Sequence, residues 1–354
     1  MNLIFITRKV DRSDPLTGFV FGWIAALAKN VDELYVICQE RGDSSGLPAN
    51  VELHSFGKEK GYGRLRQAFE LFILSFRFAK KSNGFFVHMH SIYAIVAALP
   101  AKLFRKKIAL WYVHKSVDLK LQTAHALVDM VLTASPESFR LPSNKVKVLG
   151  HGINLEKFQI QNKEPRNPNH KFQILSIGRI SPVKDYETLI KAVLILVKDK
   201  NVSDLNVQIY GKVGLPEHQK YLDSLVKFVE NAGLDEVIDF QGGVAYDFVP
   251  SLLGTADLFV NLSETGSIDK NVLEAAACGR LVLTSNDAFE KPLKAISPDL
   301  FFARNNPRDL AEKIMKIKGL GEMERQRLEK ELRSWVEREH DLGNLAKKIV
   351  GEFK

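Results

Sequence analysis

Two cations, Arg179 and Lys184, stand five residues apart on a segment whose composition suits phosphate binding. They follow the apolar run 172–177, which predicts a buried strand, and they precede a segment with helical period. Gly178 allows the backbone to turn tightly, and Asp185 is suited to cap the following helix. Cations beside a helix N-terminus form a site for a diphosphate. The spacing predicts such a site, although a solvated basic loop has the same pattern.

A second segment with candidate binding residues begins after the apolar run 258–261. A small polar loop leads there into an alanine-rich helix that Gly279 closes. The backbone N–H groups from Ser267 to Asn271 head this predicted helix and could hold phosphate oxygens. Glu274 is expected in the first turn, where its carboxylate either accepts hydrogen bonds from two ribose hydroxyls or caps the helix.

Three histidines are further candidates. His114 follows the predicted strand 108–113, and a lone histidine is ordinarily structural. His88 and His90 are two apart on a predicted strand and so share one face, a spacing that could suit a metal. No third ligand is evident, so we expect ordinary histidines there and no metal site.

The elements that must position these residues alternate between strands and helices in both halves of the chain. The strand candidates are short, apolar and rich in β-branched and aromatic residues, and they lie at 3–6, 34–38, 85–88, 108–113, 130–133 and 146–149, then at 172–177, 207–210, 237–240, 258–261 and 281–284. Helical period marks 19–29, 189–197 and 222–229. Apolar strands separated by helices are typical of α/β domains with a parallel sheet covered on both faces.

A polar stretch with two prolines, residues 159–170, separates the halves. It predicts two doubly wound Rossmann-like domains, residues 1–165 and 166–337, with a C-terminal helix at 338–354 that rejoins the first. Open parallel sheets bind ligands at the carboxyl ends of their strands. Two such edges that face one another across a cleft would enclose a donor and an acceptor together.

Together these segments resemble the family-4 retaining glycosyltransferases of the GT-B fold. Arg179 and Lys184 are similar to that family's diphosphate-binding pair, and Glu274 is similar to the second glutamate of its Glu-x7-Glu signature, which binds ribose. Three further segments resemble motifs that the family places near the donor or just before the linker, and their glycines are Gly152, Gly211 and Gly242. The resemblance covers nearly the whole chain and is sharpest from 178 to 286.

One position departs from the family's signature, because its first glutamate would fall at Gly266. Neither Glu264 nor Asp269 is in register to replace that carboxylate, so the contacts to the transferred sugar stay open. By resemblance, the loop and the start of the helix still supply donor-binding residues. They are Gly266, Ser267, Asp269, Lys270, Asn271 and Glu274.

The first half also carries residues that the resemblance assigns to the site. Gly18 lies in a segment similar to the family's glycine loop over the donor phosphates, where it would offer a backbone N–H; an ordinary N-terminal loop is the alternative. His114 corresponds to a histidine near the anomeric centre. The implied mechanism is retaining: Arg179 and Lys184 neutralise the departing diphosphate, the acceptor hydroxyl attacks from the same face, and neither metal nor cofactor is needed.

Composition limits the remaining classes of function. The chain has 354 residues, a formal net charge of +8 and a pI of about 9.2, which favour an anionic partner. Net charge without an aromatic-basic motif argues against nucleic acid, and no Gly-x-Gly-x-x-Gly follows the first strand to support a dehydrogenase.

The start of the chain has no cationic leader, and no apolar run reaches the roughly 18 residues of a membrane span, which predicts a cytoplasmic protein. Cys38 and Cys278 are expected to be buried thiols in a reducing compartment.

An aromatic segment with basic ends gives an anionic membrane surface as an alternative partner. Basic residues at 58–66 and 77–81 flank the apolar residues 69–76, and a further basic cluster lies at 105–107. Such a helix could rest on the inner face of the membrane, as expected for an enzyme that glycosylates a lipid-linked acceptor. A core helix with solvated charged ends has the same pattern.

The sequence therefore predicts a glycosyltransferase that moves a hexose-type sugar from a nucleotide-diphosphate donor to a carbohydrate, lipid-linked or small-molecule acceptor. Two alternatives stay open. A nucleotide-sugar epimerase of the same fold would act on the donor without an acceptor, and a sugar- or nucleotide-binding partner subunit would have little activity.

Overall fold

The computed structural model describes residues 1–14, 17–159, 171–264 and 266–354, and this part of the chain divides into two compact units. The first comprises Met1–Asn154 and Glu339–Lys354, and the second comprises Leu155–Arg338. The predicted boundary at 165/166 and most of the predicted linker, residues 160–170, lie outside the described residues. The chain returns to the first unit at Glu339, whereas the sequence predicts that it returns at 338.

The first unit is built on parallel strands with helices between them. Its strands are β1 (Asn2–Val10), β2 (Glu33–Arg41), β3 (Val51–Ser55), β4 (Gly84–His88), β5 (Lys107–Trp111), β6 (Met130–Thr133) and β7 (Val146–Val148). The helices that connect them are α1 (Phe19–Ala28), α2 (Arg64–Ala79), α3 (Ser91–Leu103) and α4 (Leu119–Leu127).

These strands form a seven-stranded sheet in the order β3-β2-β1-β4-β5-β6-β7. Leu3, Ile4, Phe5 and Ile6 of β1 are all fully buried, although successive side chains point to opposite faces. The sheet is therefore covered on both sides, as a doubly wound fold requires. Strand order reverses between β1 and β4, and sheets of this type bind ligands at the carboxyl ends of the strands beside such a reversal.

The second unit repeats the scheme with fewer strands. Its strands are β8 (Phe172–Ile177), β9 (Leu205–Tyr210), β10 (Ile238–Gly242), β11 (Leu258–Asn261) and β12 (Leu281–Thr284). Its helices are α5 (Tyr186–Leu194), α6 (Gln219–Asn231), α7 (Val249–Thr255), α8 (Lys270–Ala277), α9 (Glu290–Ile296), α10 (Pro307–Lys318) and α11 (Glu322–Glu339).

The second sheet is also parallel, in the order β10-β9-β8-β11-β12, and its order reverses between β8 and β11. The last helix, α12 (Leu342–Gly351), packs against α1 in the first unit, where Ile153 and Asp341 form a parallel bridge. Both units are Rossmann-like, which confirms the predicted α/β class. None of the described helices is both long and apolar enough to cross a membrane.

Several observed elements differ in their bounds from the predicted ones, and three of the differences have a clear structural description. The sequence pattern misses β3, because Glu52 and His54 interrupt its apolar residues and the strand pairs only with β2 at the edge of the sheet. The strand predicted at 108–113 ends at Trp111, where its pairing with β4 stops. The strand predicted at 237–240 is shifted to Ile238–Gly242.

Candidate functional site

The loop after β8 carries the two predicted cations. The Gly178 N–H donates to the Tyr210 carbonyl at 2.9 Å, and a 3-10 turn, Pro182–Lys184, then leads to Asp185. The Asp185 carboxylate accepts a hydrogen bond from the Thr188 N–H at 3.4 Å and caps α5, as predicted. Burial raises the pKa of this carboxyl above its ordinary value. The cap fixes the path of the loop between β8 and α5.

Lys184 connects this loop to the loop after β11. Its Nζ lies 2.8 Å from Oδ2 of Asp269, the residue before α8, and 3.2 Å from Oγ of Ser263. Only 11% of the lysine side chain is exposed. An ammonium group has three N–H donors, so two serve these contacts and one is left for a ligand oxygen. The cation therefore lies where the second sheet reverses its strand order.

Asp269 holds Lys184, and the sequence did not predict this role. Burial by itself raises the pKa of the Asp269 carboxyl, but the charge of Lys184 and hydrogen bonds from Lys184, Asn261 and Ser263 lower it overall below its ordinary value. The Asn261 amide donates to the same Oδ2 at 3.0 Å. Asn261 ends β11, and its place at the carboxyl end of a central strand is the sequence signal that could have identified it.

Arg179 is exposed beside this cluster. Its side chain lies along Gly214, where an added β-carbon would be 3.4 Å from Arg179 Cδ. Among the described residues, no hydrogen bond or ion pair joins its guanidinium to Lys184 or Asp269. Both cations thus lie on one loop. Arg179 is exposed to solvent, whereas Lys184 is held by Asp269 and Ser263.

Glycines bring the ends of three neighbouring strands close together. A β-carbon on Gly211 would lie 1.8 Å from the Gly178 carbonyl oxygen, and the Gly211 N–H donates to the Gly242 carbonyl at 2.6 Å. Gly242 has φ +72°, a conformation that favours glycine, at an irregularity in β10. Gly266, on the loop before α8, has φ +63°. Close approach of the backbone therefore accounts for glycine at 211, and positive φ accounts for it at 242 and 266.

The start of α8 is tied to the end of β8. The Asn271 side-chain amide donates to the Ile177 carbonyl, and the Asn286 amide donates to the Ser267 carbonyl at 2.9 Å. Ser267 is buried. The N–H groups in the first turn of α8 have no acceptor within the helix, because they stand at its start. The structure thus brings the predicted residues from Gly266 to Asn271 to the edge that carries Lys184.

Glu274 is the fifth residue of α8, not part of its first turn, so the prediction that it lies there is wrong. A carboxylate that deep in the helix cannot cap the leading N–H groups. Glu274 is 3% exposed, and its Oε1 accepts a hydrogen bond from the Tyr246 hydroxyl at 2.8 Å and pairs with Lys270 Nζ at 2.9 Å. Both of these contacts use the same oxygen.

Tyr246 and two lysines form a cluster around this carboxylate. Nζ of Lys157 lies 3.9 Å, and Nζ of Lys270 4.1 Å, from the centre of the Tyr246 ring. Burial and the charge of Glu274 raise the pKa of Tyr246 above its ordinary value, whereas burial lowers the pKa of Lys270. Sequence reasoning gave neither Tyr246 nor Lys157 a role at Glu274. Lys157 lies in the segment that resembles the motif before the linker, but only tertiary contact connects the two residues to this carboxylate.

Two predicted donor-binding glycines lie in the first unit. The Gly18 N–H donates to the Asp14 carbonyl at 2.8 Å, so it is not the unoccupied donor that the sequence predicts. A β-carbon on Gly18 would lie 2.7 Å from that same oxygen, which explains the glycine. Gly152 is buried beneath α12, where a β-carbon would lie 2.6 Å from Leu342 Cδ1. Its role at the donor stays a prediction.

His114 lies on the loop beyond β5, three residues after the strand ends, and not at the end of the strand as predicted. Its backbone N–H donates to the Ser138 carbonyl at 3.0 Å. Its Nδ1 accepts a hydrogen bond from the Ser116 N–H at 3.1 Å, which assigns the proton of the neutral ring to Nε2. The side chain is exposed.

His88 and His90 do not share a strand, because β4 ends at His88 and Met89 has φ +69°. Burial, with a contribution from His90, lowers the pKa of His88 to about 3, and burial with Arg8 lowers that of His90 to about 4. Both rings are therefore neutral near pH 7. Within the described ranges, no three His, Cys, Asp or Glu side chains are grouped as metal ligands.

Comparisons with known proteins agree with this fold. The chain is 22% identical over 173 residues to mannosylfructose-phosphate synthase of Agrobacterium fabrum, and 33% identical over 115 residues to D-inositol 3-phosphate glycosyltransferase of Paenarthrobacter aurescens. These alignments cover 47% and 32% of this chain, and only 37% and 27% of the two relatives. HepE of Anabaena, solved in complex with UDP, superposes with a TM-score of 0.76 at 16% identity over 99% of both chains.

The predicted fold is thereby confirmed as GT-B, with two Rossmann-like domains. The model of the family described as "Glycosyl transferases group 1" matches residues 157–335, which is about half of the chain and includes Lys184, Asp269 and Glu274. On this match, the chain belongs to the glycosyl transferases group 1 family.

Proposed function

We propose that this chain is a retaining glycosyltransferase that moves a hexose-type sugar from a nucleoside-diphosphate donor to an acceptor hydroxyl. The observation that carries the proposal is the position of the Lys184 ammonium, 2.8 Å from Asp269 at the start of α8. A cation and a helix N-terminus thereby converge at the strand-order reversal of the second unit, and both attract a diphosphate. UDP bound to HepE, a protein of the same fold, supports a nucleoside diphosphate as the ligand.

The other residues of the site bind different parts of the donor. The third N–H of Lys184, the guanidinium of Arg179 and the amides at the start of α8 bind the diphosphate oxygens. Glu274 binds the ribose hydroxyls, and the two contacts to its Oε1 hold the carboxylate in place. The acceptor is a carbohydrate, a lipid-linked glycan or a small molecule with a hydroxyl group.

Catalysis is proposed to come from compensation of charge on the leaving group. As the bond between the anomeric carbon and the phosphate oxygen breaks, negative charge grows on the diphosphate. A unit charge about 4 Å away stabilises it by about 4 kcal/mol at an effective dielectric constant of about 20. The acceptor oxygen attacks the anomeric carbon from the same face, and its proton passes to the leaving phosphate oxygen. Arg179 and Lys184 supply the positive charge, so we expect turnover to persist in EDTA.

Ligand binding tests the diphosphate site directly. A thermal-shift series with UDP, GDP and ADP should find one nucleotide that stabilises the protein by about 2.7 kcal/mol at 100 times its Kd. Lys184→Ala should reduce the shift, and Lys191→Ala, on the exposed side of α5, should retain it. If no nucleotide stabilises the protein, or if Lys184→Ala binds as well as the wild type, the site is wrong.

Transfer itself is tested with the sugar nucleotide of the base so identified. The enzyme should release the nucleoside diphosphate, slowly by hydrolysis and faster with acceptor, and the NMR coupling of the anomeric proton should show retained configuration. Binding without release would instead identify a binding subunit. Conversion of the sugar with no nucleotide released would identify an epimerase.

A further inference from the structure

Helix α2 of the first unit leaves a stripe of large apolar side chains in solvent. Leu65, Phe69, Ile73 and Phe76 are 90%, 63%, 43% and 43% exposed. They follow one another at helical spacings of four, four and three residues and so lie on one face. The core of the unit is covered by other residues of the same helix, Leu71 and Phe78 among them. The exposed stripe is therefore not the face that stabilises the fold.

Helix α3 adds a second stripe beside the first. Ile92, Leu99 and Leu103 are 46%, 63% and 64% exposed and also share one face, at spacings of seven and four residues. The two helices pack against each other, with the ring of Phe76 5.1 Å from the ring of Phe104. We call the seven exposed residues of the two stripes the apolar ridge. Large apolar side chains that are exposed together on two packed helices of a folded protein indicate a site of interaction.

The charges around the apolar ridge identify its partner. Exposed cations stand on and after both helices, and they are Arg64, Arg66, Arg77, Lys80, Lys81, Lys102, Arg105 and Lys107. Between residues 60 and 82 the only acidic residue is Glu70, and between 91 and 107 there is none. The surface is thus apolar in its centre and positive at its margin, which is the complement of an anionic lipid headgroup layer.

We propose that the apolar ridge docks on an anionic membrane surface. Its side chains enter the boundary between headgroups and acyl chains, and the flanking arginines and lysines bind lipid phosphates. A second copy of the chain is disfavoured as the occupant, because a twofold contact through this face would bring its cations against their own copies. The proposal goes beyond the transfer reaction and holds whether or not the diphosphate site is correct.

Vesicle co-sedimentation tests the proposal with the full chain. We expect binding to vesicles of phosphatidylglycerol and phosphatidylcholine and little binding to vesicles of phosphatidylcholine alone. Raising the ionic strength from about 0.1 M to about 1 M shortens the screening length from about 10 Å to about 3 Å and should release most of the protein. Equal binding to both vesicle types, or none to either, would overturn the proposal.

Substitutions on the surface locate the contact. Phe69→Ala should weaken vesicle partitioning about tenfold, since it removes a large apolar side chain from the boundary. Arg66→Glu together with Arg77→Glu should weaken it at least as much. Met323→Ala and Lys330→Glu, on exposed positions of α11, are the matched controls and should leave partitioning unchanged. All of these residues are exposed, so the variants should keep the wild-type melting temperature and the nucleotide-induced shift.

Two results would contradict a lipid contact even if some vesicle binding were seen. One is equal partitioning of the wild type and Phe69→Ala. The other is a concentration-dependent dimer, measured by analytical ultracentrifugation without vesicles, that Phe69→Ala dissociates. That second result would assign the apolar ridge to a second copy of the chain.

Discussion

Lys184 and Asp269 form a part-buried ion pair, with 2.8 Å between Nζ and Oδ2, although 85 residues separate them along the chain. Their side chains are 11% and 17% exposed. The pair fixes the ammonium between the loop after β8 and the start of α8. It also explains why an aspartate that is out of register with the family's first glutamate is still part of the site. Its carboxylate contacts the Lys184 ammonium directly.

The coupling energy between Lys184 and Asp269 can be measured from the free energies of unfolding of single and double variants. Removing one partner leaves a buried charge without compensation, so Asp269→Asn and Lys184→Met should each lower the free energy of unfolding by about 3 kcal/mol. The double variant should lose less than the sum of the two. Urea denaturation of the four proteins gives the coupling energy directly. Additivity within about 0.5 kcal/mol would mean that Asp269 does not position Lys184.

Turnover should depend on Lys184 more strongly than donor affinity does. Lys184→Ala removes a preorganised charge that acts mainly as the leaving group ionises, so kcat should fall by roughly 10²–10³. Steady-state kinetics with the identified sugar nucleotide measure the change. Lys191→Ala, at an exposed position of α5, is the control. Unchanged turnover in Lys184→Ala would remove this residue from the mechanism.

Tyr246 should affect donor binding through Glu274. Tyr246→Phe removes the hydroxyl that donates to Glu274 Oε1 and keeps the ring beneath the two lysines. We expect the KM for the donor to rise about tenfold, with kcat nearly constant, because the ribose is bound equally before and during transfer. Tyr221→Phe loses an equivalent 2.8 Å bond, to Glu187, and serves as the control. Equal effects of both variants would argue against a positioning role for Tyr246.

His114 is expected to act on the transferred sugar. His114→Ala should lower kcat at least about tenfold if the imidazole contributes a hydrogen bond to the reacting sugar in the transition state. The melting temperature should stay unchanged, because the side chain is exposed. Wild-type kcat in this variant would restrict His114 to its hydrogen bonds with the backbone.

Three histidines with strongly lowered pKa values should make the first unit sensitive to acid. The pKa of His88 is lowered to about 3, and those of His90 and His340 to about 4, with burial as the first cause in each case. The unfolded chain binds these protons near pH 6.5, so between about pH 6.5 and about pH 4 the unfolded state holds more protons than the folded state. The free energy of unfolding therefore falls as the pH falls.

The expected slope is about 1.4 kcal/mol per pH unit for each histidine in that window. Urea denaturation at about pH 7 and about pH 5 measures it, and substitution of one histidine by a residue that does not titrate should reduce the slope by about a third. His340→Asn is suitable, since His340 contacts the backbone N–H of His151. An unchanged slope would show that His340 is not neutral when buried.

The local order of strands, helices and loops could be predicted from the sequence. Apolar runs such as 3–6 and 258–261 give buried strands, and Asp185 and Gly279 mark helix ends, because these signals depend on neighbours a few residues away. The cations at 179 and 184 could be identified in the same way. The edge strand β3 was not predicted, since a half-buried strand with polar residues lacks a continuous apolar signal.

The sequence by itself determined which loops follow strands and lead into helices, and so predicted where a diphosphate binds, because backbone turns and helix starts are encoded by local residue types. Only the tertiary structure decided that Asp269 pairs with Lys184 and that the Tyr246 hydroxyl donates to Glu274. Each of these contacts depends on where separate segments meet or fold back in space. A buried charge or donor must find a partner wherever packing puts one, and sequence spacing does not record that position.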